Sequence, residues 1–200
     1  MIIIRPAYDR ETRATHAIAG LIVPQLPLCR DLSGSQATRL NLQRTLQQNP
    51  TVTIVAFYGH GEKDRLFGHS LWNLVGRSLV RSEPTKLLPP EVVSRNVYAV
   101  ACRAGVLLGP ALARSGGRFI GYNDDFVLTI GFEAEFGAVV NDVLLALTQN
   151  WGSPNSCQAV LADAWNKLID DFTYGAKSDI PRAFLVARDA LVNREGVAAF

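Results

Sequence analysis

The stretch Asn96-Val97-Tyr98-Ala99-Val100-Ala101-Cys102-Arg103-Ala104-Gly105 decides how this chain is read. Its β-branched and aromatic residues form a short apolar run ending in a small, Gly-containing turn, the pattern of a strand buried on both faces. The run stops at a cysteine. In open α/β sheets ligands bind at the carboxyl ends of the strands, so a thiol placed there is a candidate nucleophile. Upstream, Thr51-Val52-Thr53-Ile54-Val55-Ala56-Phe57-Tyr58 repeats the pattern and stops at Gly59-His60-Gly61. Two core strands are thereby predicted to deliver His60 and Cys102 to one edge of one sheet.

Working outward, Ile2 to Ile4 reads as a first buried strand closed by Pro6. Asp9 can cap a helix whose apolar positions Ala14, Ala17, Ile18, Leu21 and Ile22 recur at helical spacing and which ends before Pro24. A short strand is expected around Leu28 to Leu32, and Ser33-Gly34-Ser35 supplies a turn and a cap for a second helix through about Gln48. Strand and helix alternate, which implies right-handed crossovers and a mostly parallel sheet with helices on both faces. From Glu62 to Glu91 the pattern loosens, and the segments Glu83-Pro84 and Pro89-Pro90 suit a surface excursion beside the active edge.

Composition bounds the reading. Two hundred residues, 48% of them apolar, suffice for one well-buried domain. A formal charge of +2 with 19% charged residues contains no basic block, which disfavours nucleic acid as a partner. Met1-Ile2-Ile3-Ile4-Arg5-Pro6 is too short for a signal peptide and no segment approaches a membrane span, so the expectation is a soluble cytoplasmic chain with no membrane partner. Cys29, Cys102 and Cys157 are an odd count without metal-ligand spacing, which points to reduced thiols and to neither a disulfide scaffold nor a metal site. No cofactor motif is present; Gly59-His60-Gly61 as a phosphate cradle is a lone Gly-x-Gly that opens no clear helix.

A thiol of ordinary pKa is only a few per cent thiolate at neutral pH, so an adjacent histidine that takes the proton multiplies its reactivity. His60 is the candidate base and Cys102 the candidate nucleophile. Glycines flanking His60 admit close approach of a backbone N–H to a bound carbonyl, so the N–H groups of Gly61 and Cys102 are the candidate oxyanion donors. His69, in Phe67-Gly68-His69-Ser70, is a second dyad candidate or, more simply, a satisfied loop histidine. His16, Cys29 and Cys157 read as structural.

Tyr58-Gly59-His60-Gly61 and Ala101-Cys102-Arg103-Ala104-Gly105, each after an apolar strand, resemble the His-Gly and Ala-Cys motifs of caspase-like cysteine peptidases, a group that includes metacaspases, gingipains, separase and bacterial CHAT domains. The 42 positions from His60 to Cys102 fit a histidine roughly 50 residues upstream of the nucleophile. The element order from Ile2, and a strand at Arg118 to Tyr122, match that architecture too. The resemblance implies a three-layer α/β/α caspase-like sandwich and a cysteine endopeptidase with His60 as base, Cys102 as nucleophile, and Gly61 with Cys102 as oxyanion donors. It also implies a protein or peptide substrate and a mode of control by an activating protein partner or by processing. Val100 stands where a caspase has Gln and a metacaspase an acidic residue, and Ala104 precedes Gly105, so neither known specificity pocket is reproduced and the bacterial CHAT-like branch is nearest. Two alternatives stand beside the peptidase: a non-catalytic caspase-like scaffold that binds a partner, and a Cys-His amidase acting on a small molecule.

Downstream, Gly109-Pro110 can open a helix that Gly116-Gly117 ends. Glu133 to Gln149 is an amphipathic helix striped by Phe136, Val139, Val140, Val143, Leu144 and Leu147. After a break at Asn150 to Asn155 come two helices, one striped by Val160, Leu161, Trp165, Leu168, Ile169 and Phe172. The other is opened by Asp179 and Pro181 and carries Phe184, Leu185, Leu191 and Val192. Residues 1–150 are thus read as the α/β core and 151–200 as a helical cap on the same single domain. From Phe119 through Asn166 there is no Lys or Arg. The first carboxylates of this acidic half, Asp124 and Asp125, are expected at the sheet edge beside Cys102. There they would bind substrate and favour cleavage after a basic residue, unless they form only a solvated turn.

Overall fold

The computed structural model describes residues 1–69, 77–82 and 92–200. Its centre is a six-stranded sheet of β1 (Ile2–Arg5), β2 (Arg30–Ser33), β3 (Ile54–Tyr58), β7 (Asn96–Val100), β8 (Arg118–Tyr122) and β9 (Val197–Ala199) in the order β2-β1-β3-β7-β8-β9. All pairings are parallel except β8 with β9. A second sheet of three antiparallel strands, β4 (Gly61–Glu62), β5 (Arg65–Gly68) and β6 (Arg77–Arg81), grows directly out of the turn that carries His60.

The helices are α1 (Arg10–Ile22), α2 (Arg39–Gln48), α3 (Leu108–Arg114), α4 (Glu133–Gln149), α5 (Pro154–Thr173) and α6 (Ala183–Glu195). Successive strand residues point to opposite faces, so each apolar strand supplies two cores. Ile3, Ala56, Tyr58, Tyr98, Val100, Ile120 and Tyr122 pack with Ile18, Phe136, Trp165 and Val186, from α1, α4, α5 and α6. Their neighbours Ile2, Ile4, Val55, Phe57, Val97, Ala99 and Phe119 pack with Leu42, Leu46, Leu108 and Leu112, from α2 and α3. The chain is therefore an α/β fold with a mostly parallel sheet clad by helices on both faces. Three fully buried tyrosines stay satisfied: the Tyr58 hydroxyl donates to Asn141 Oδ1 at 2.9 Å, Tyr98 to the Val140 carbonyl at 3.0 Å, and Tyr122 accepts from Trp165 Nε1 at 3.3 Å. No helix among the described residues is long and apolar enough to cross a membrane.

Several boundaries differ from the sequence reading, each for a local reason. Strand β2 begins at Arg30, after the Pro27 turn, and ends at Ser33. Ser33-Gly34-Ser35 does not cap α2; Gly34–Gln36 form a 3-10 turn and Thr38 is the cap, accepting from Asn41 N at 3.2 Å. Asp179 does not open α6, which starts at Ala183 after Arg182 in a left-handed conformation (φ 71°) with no side-chain cap. The buried face of α6 is also not the expected one. Phe184 is 72% exposed and Leu191 and Val192 are about 40% exposed, while Ala183, Val186, Asp189, Ala190 and Asn193 face inward. Two polar residues win that face because they bond the loop beneath it, as described below. The small sheet and β9 carry no clear sequence pattern, and the Glu83-Pro84 and Pro89-Pro90 segments lie outside the described residues.

Candidate functional site

The register of the two central strands places the site. Strands β3 and β7 pair in parallel with Tyr58 opposite Val100, and Gly59 N donates to the Val100 carbonyl at 3.1 Å to extend the pairing by one residue. His60 and Cys102 each lie two residues beyond that pair. Both line one cavity of about 310 Å³, together with residues from the start of α1 and from the loop after β8.

Close packing shapes the two turns. A Cβ on Gly61 would sit 2.6 Å from the Cys102 carbonyl oxygen, and one on Gly105 would sit 2.5 Å from Asn123 Oδ1. Between them Arg103 adopts a left-handed conformation (φ 55°), held by its N–H to the Asp124 carbonyl at 2.9 Å. Gly61 and Cys102 are thus pressed together. Because Phe67 N donates to the His60 carbonyl at 3.0 Å, Gly61 and Leu66 form the non-hydrogen-bonded pair that follows, and the Gly61 N–H is turned away from β5.

His60 is oriented by a residue read from the sequence only as a helix cap. Its Nε2 lies 2.8 Å from Asp9 Oδ2. The other carboxylate oxygen, Oδ1, accepts from Thr12 N at 2.8 Å and Thr12 Oγ1 at 2.7 Å, and Asp9 N donates back to Thr12 Oγ1 at 3.0 Å to close a capping box at the start of α1. One carboxylate therefore fixes both a helix and a ring. Burial pushes the Asp9 carboxyl up, but the Thr12 hydroxyl and N–H and the neighbouring His60 outweigh it and hold it below the usual range. A signal for this role existed: Asp9 follows β1, whose carboxyl end shares an edge with β3, so an acidic residue after that strand was placed to reach His60. With Nε2 engaged, Nδ1 is the ring nitrogen left for proton transfer.

Cys102 is partly buried and its thiol points to the Phe126 carbonyl, with Sγ to O 3.8 Å. Burial pushes the thiol up; the Phe126 contact and Arg103 oppose that, Asp125 adds to it, and the net shift is upward. A thiol raised in this way would need a base to remove its proton before it could act as a nucleophile.

The remaining candidates separate. Asp124 and Asp125 are exposed and neither lines the cavity; Asp125 pairs with Arg103 at 2.8 Å. The cavity's carboxylate is Glu11. His69 is outside the cavity as well: its N–H donates to the Ala37 carbonyl, its ring meets Tyr8 edge-on at 6.1 Å, and its buried Nδ1 has no partner among the described residues. Tyr8 also stacks at 5.9 Å, tilted, on His60. His16 bridges Ser33 Oγ at 2.8 Å and Arg5 Nη1 at 3.1 Å, and Cys157 is buried in the core. Asp9, Glu11 and His60 bring one donor atom each to within 4.8 Å of one another, yet the His60 nitrogen facing Asp9 is already hydrogen-bonded and two of the three residues are only partly shielded. No protein-family model matches the chain, and no curated protein matches it at a significant level.

Proposed function

We propose that this protein is a cysteine endopeptidase of the caspase-like kind, working through a thioacyl-enzyme on Cys102. The observation that carries the reading is the parallel register that brings His60 and Cys102, each two residues past the Tyr58–Val100 pair, onto one cavity. Support for the fold component comes from the mostly parallel sheet with helices on both faces, in the element order the motifs implied.

In this mechanism His60 Nδ1 takes the Cys102 proton as Sγ attacks the substrate carbonyl. Asp9, holding Nε2, keeps the ring in place and stabilises the imidazolium that forms; it is a positioning residue. The tetrahedral oxygen is held by the N–H groups of Gly61 and Cys102. His60 then returns its proton to the departing amine, and a water activated by the same ring hydrolyses the thioester. A raised thiol suits this sequence, in which proton and sulfur move together, better than a preformed thiolate.

That same raised thiol favours a second reading, a scaffold that keeps the motifs and binds a protein partner. A peptide chloromethyl ketone separates the two. Cys102 is alkylated in the enzyme, and the label is absent in Cys102→Ala. His60→Ala should slow turnover of a peptide substrate by on the order of 10² or more, with folding intact. An unlabelled Cys102, or His60→Ala with near-full activity, would overturn the peptidase.

A further inference from the structure

The cavity beside Cys102 has walls of two kinds. Ala14, Phe126, Leu128 and Ile130 are apolar, whereas Glu11 and Arg10, in the first turn of α1, are charged. At about 310 Å³ it lies at the small end of ligand pockets, a size for one side chain. A Glu11 carboxylate oxygen lies within 4.8 Å of a His60 ring nitrogen and an Asp9 carboxylate oxygen, which puts it in the wall of the cavity beside the histidine. Among the described residues that carboxylate has no hydrogen-bond or ion-pair partner, whereas Asp9 is bound by Thr12 and His60.

We infer that this cavity is the specificity pocket for the residue whose carbonyl is attacked, and that Glu11 selects Lys or Arg there. The inference deepens the peptidase reading and rests on it. A Lys or Arg side chain matches both walls: its methylene stem lies along Ala14, Leu128 and Ile130, and its charged head reaches the unpaired carboxylate. An acidic side chain would meet the Glu11 carboxylate, the one carboxylate lining the cavity among the described residues, and like-charge contact disfavours it there. The stretch without Lys or Arg does not supply this charge, since Asp124 and Asp125 lie outside the cavity.

The test is a set of four tripeptide chloromethyl ketones that differ only in the last residue, Lys, Arg, Leu or Asp, with the rate of Cys102 alkylation followed by intact mass. Wild type should react with the Lys and Arg reagents about tenfold or more faster than with the Leu reagent, because a charge-assisted hydrogen bond to Glu11 is gained. Glu11→Gln, on an exposed helix turn, should erase most of that preference, read as the ratio of the Lys and Arg rates to the Leu rate within the same variant. Fastest reaction with Leu or Asp, an Asp preference lost in Arg10→Gln, or a basic preference lost in Asp124→Asn or Asp125→Asn but kept in Glu11→Gln, overturns the assignment. Failure of all four reagents to alkylate Cys102 overturns the peptidase reading itself, and the pocket with it, an outcome distinct from a changed preference.

Discussion

Single residues at this site hold more than one role, and substitution can pull the roles apart. Asp9 is a helix cap through Oδ1 and a histidine clamp through Oδ2. Asn caps helices about as well as Asp but brings no charge to His60. Asp9→Asn should therefore keep the cap, losing only the stability that the lowered Asp9 carboxyl confers near neutral pH, while lowering kcat about tenfold or more, since the ring loses its anionic partner. Asp9→Ala should lose the cap as well, at a cost of about 1 kcal/mol in denaturant melts. Equal kcat in wild type and Asp9→Asn would remove Asp9 from the mechanism. At Cys102 the sign of the pH dependence follows from burial, which pushes the thiol above its ordinary value. Alkylation of Cys102 in a His60→Ala background should rise steeply only on the alkaline side, where the thiolate forms without help. A pH-independent rate near neutrality in that variant would mean that the sulfur is already ionised.

Among the elements, α6 acts on the pocket from behind. Its fully buried Asn193 accepts from Val127 N at 2.9 Å and donates to the Val127 carbonyl at 2.7 Å, and Asp189 accepts from Thr129 Oγ1 at 2.8 Å. These bonds hold the loop from Phe126 to Ile130, the apolar wall of the cavity and the carbonyl that faces the Cys102 thiol. Asn193→Ala strips both Val127 backbone groups of their partner and should cost roughly 1–3 kcal/mol in stability. With the wall loosened, KM for a peptide substrate should rise more than kcat falls. A variant that melts earlier with KM unchanged would make the contact purely structural. The same bonds account for the unexpected face of α6: Phe184, Leu191 and Val192 are given up to solvent so that Asp189 and Asn193 can reach the loop.

For the molecule as a whole, acid should reach the site and the small sheet together. Thr12 and His60 hold Asp9 low against burial, and hydrogen bonds from Arg65 and Arg81 do the same for Asp64 where β4, β5 and β6 meet. Each folded-state pKa lies below that of the unfolded chain, about 3.9 for Asp. The stability they confer is complete above that value and is lost as the pH falls through the depressed ones. Urea midpoints should hold level down to about pH 5 and then decline with acid. In Asp64→Asn, which removes one of the two groups, the decline should be shallower, and an unchanged slope would assign the acid sensitivity elsewhere.

The two apolar strands that end in His60 and Cys102, the alternation of strand and helix, and the stripe of α4 were all legible in the sequence, because each depends on local pattern: a continuous apolar run where a strand is buried on both faces, a one-sided stripe where a helix is buried on one. Asp9 as the partner of His60, Glu11 in the cavity, and the pairing of Asp125 with Arg103 away from it were not. They depend on how β1 lies beside β3, on the direction in which α1 leaves that edge, and on a left-handed residue at Arg103 that sets the path after Cys102. Charge density along the chain pointed to Asp124 and Asp125, yet proximity in sequence to a strand end does not say which way a turn faces. Packing decided that, by pressing Gly61 against the Cys102 carbonyl and bringing the first turn of α1 into the wall of the same cavity.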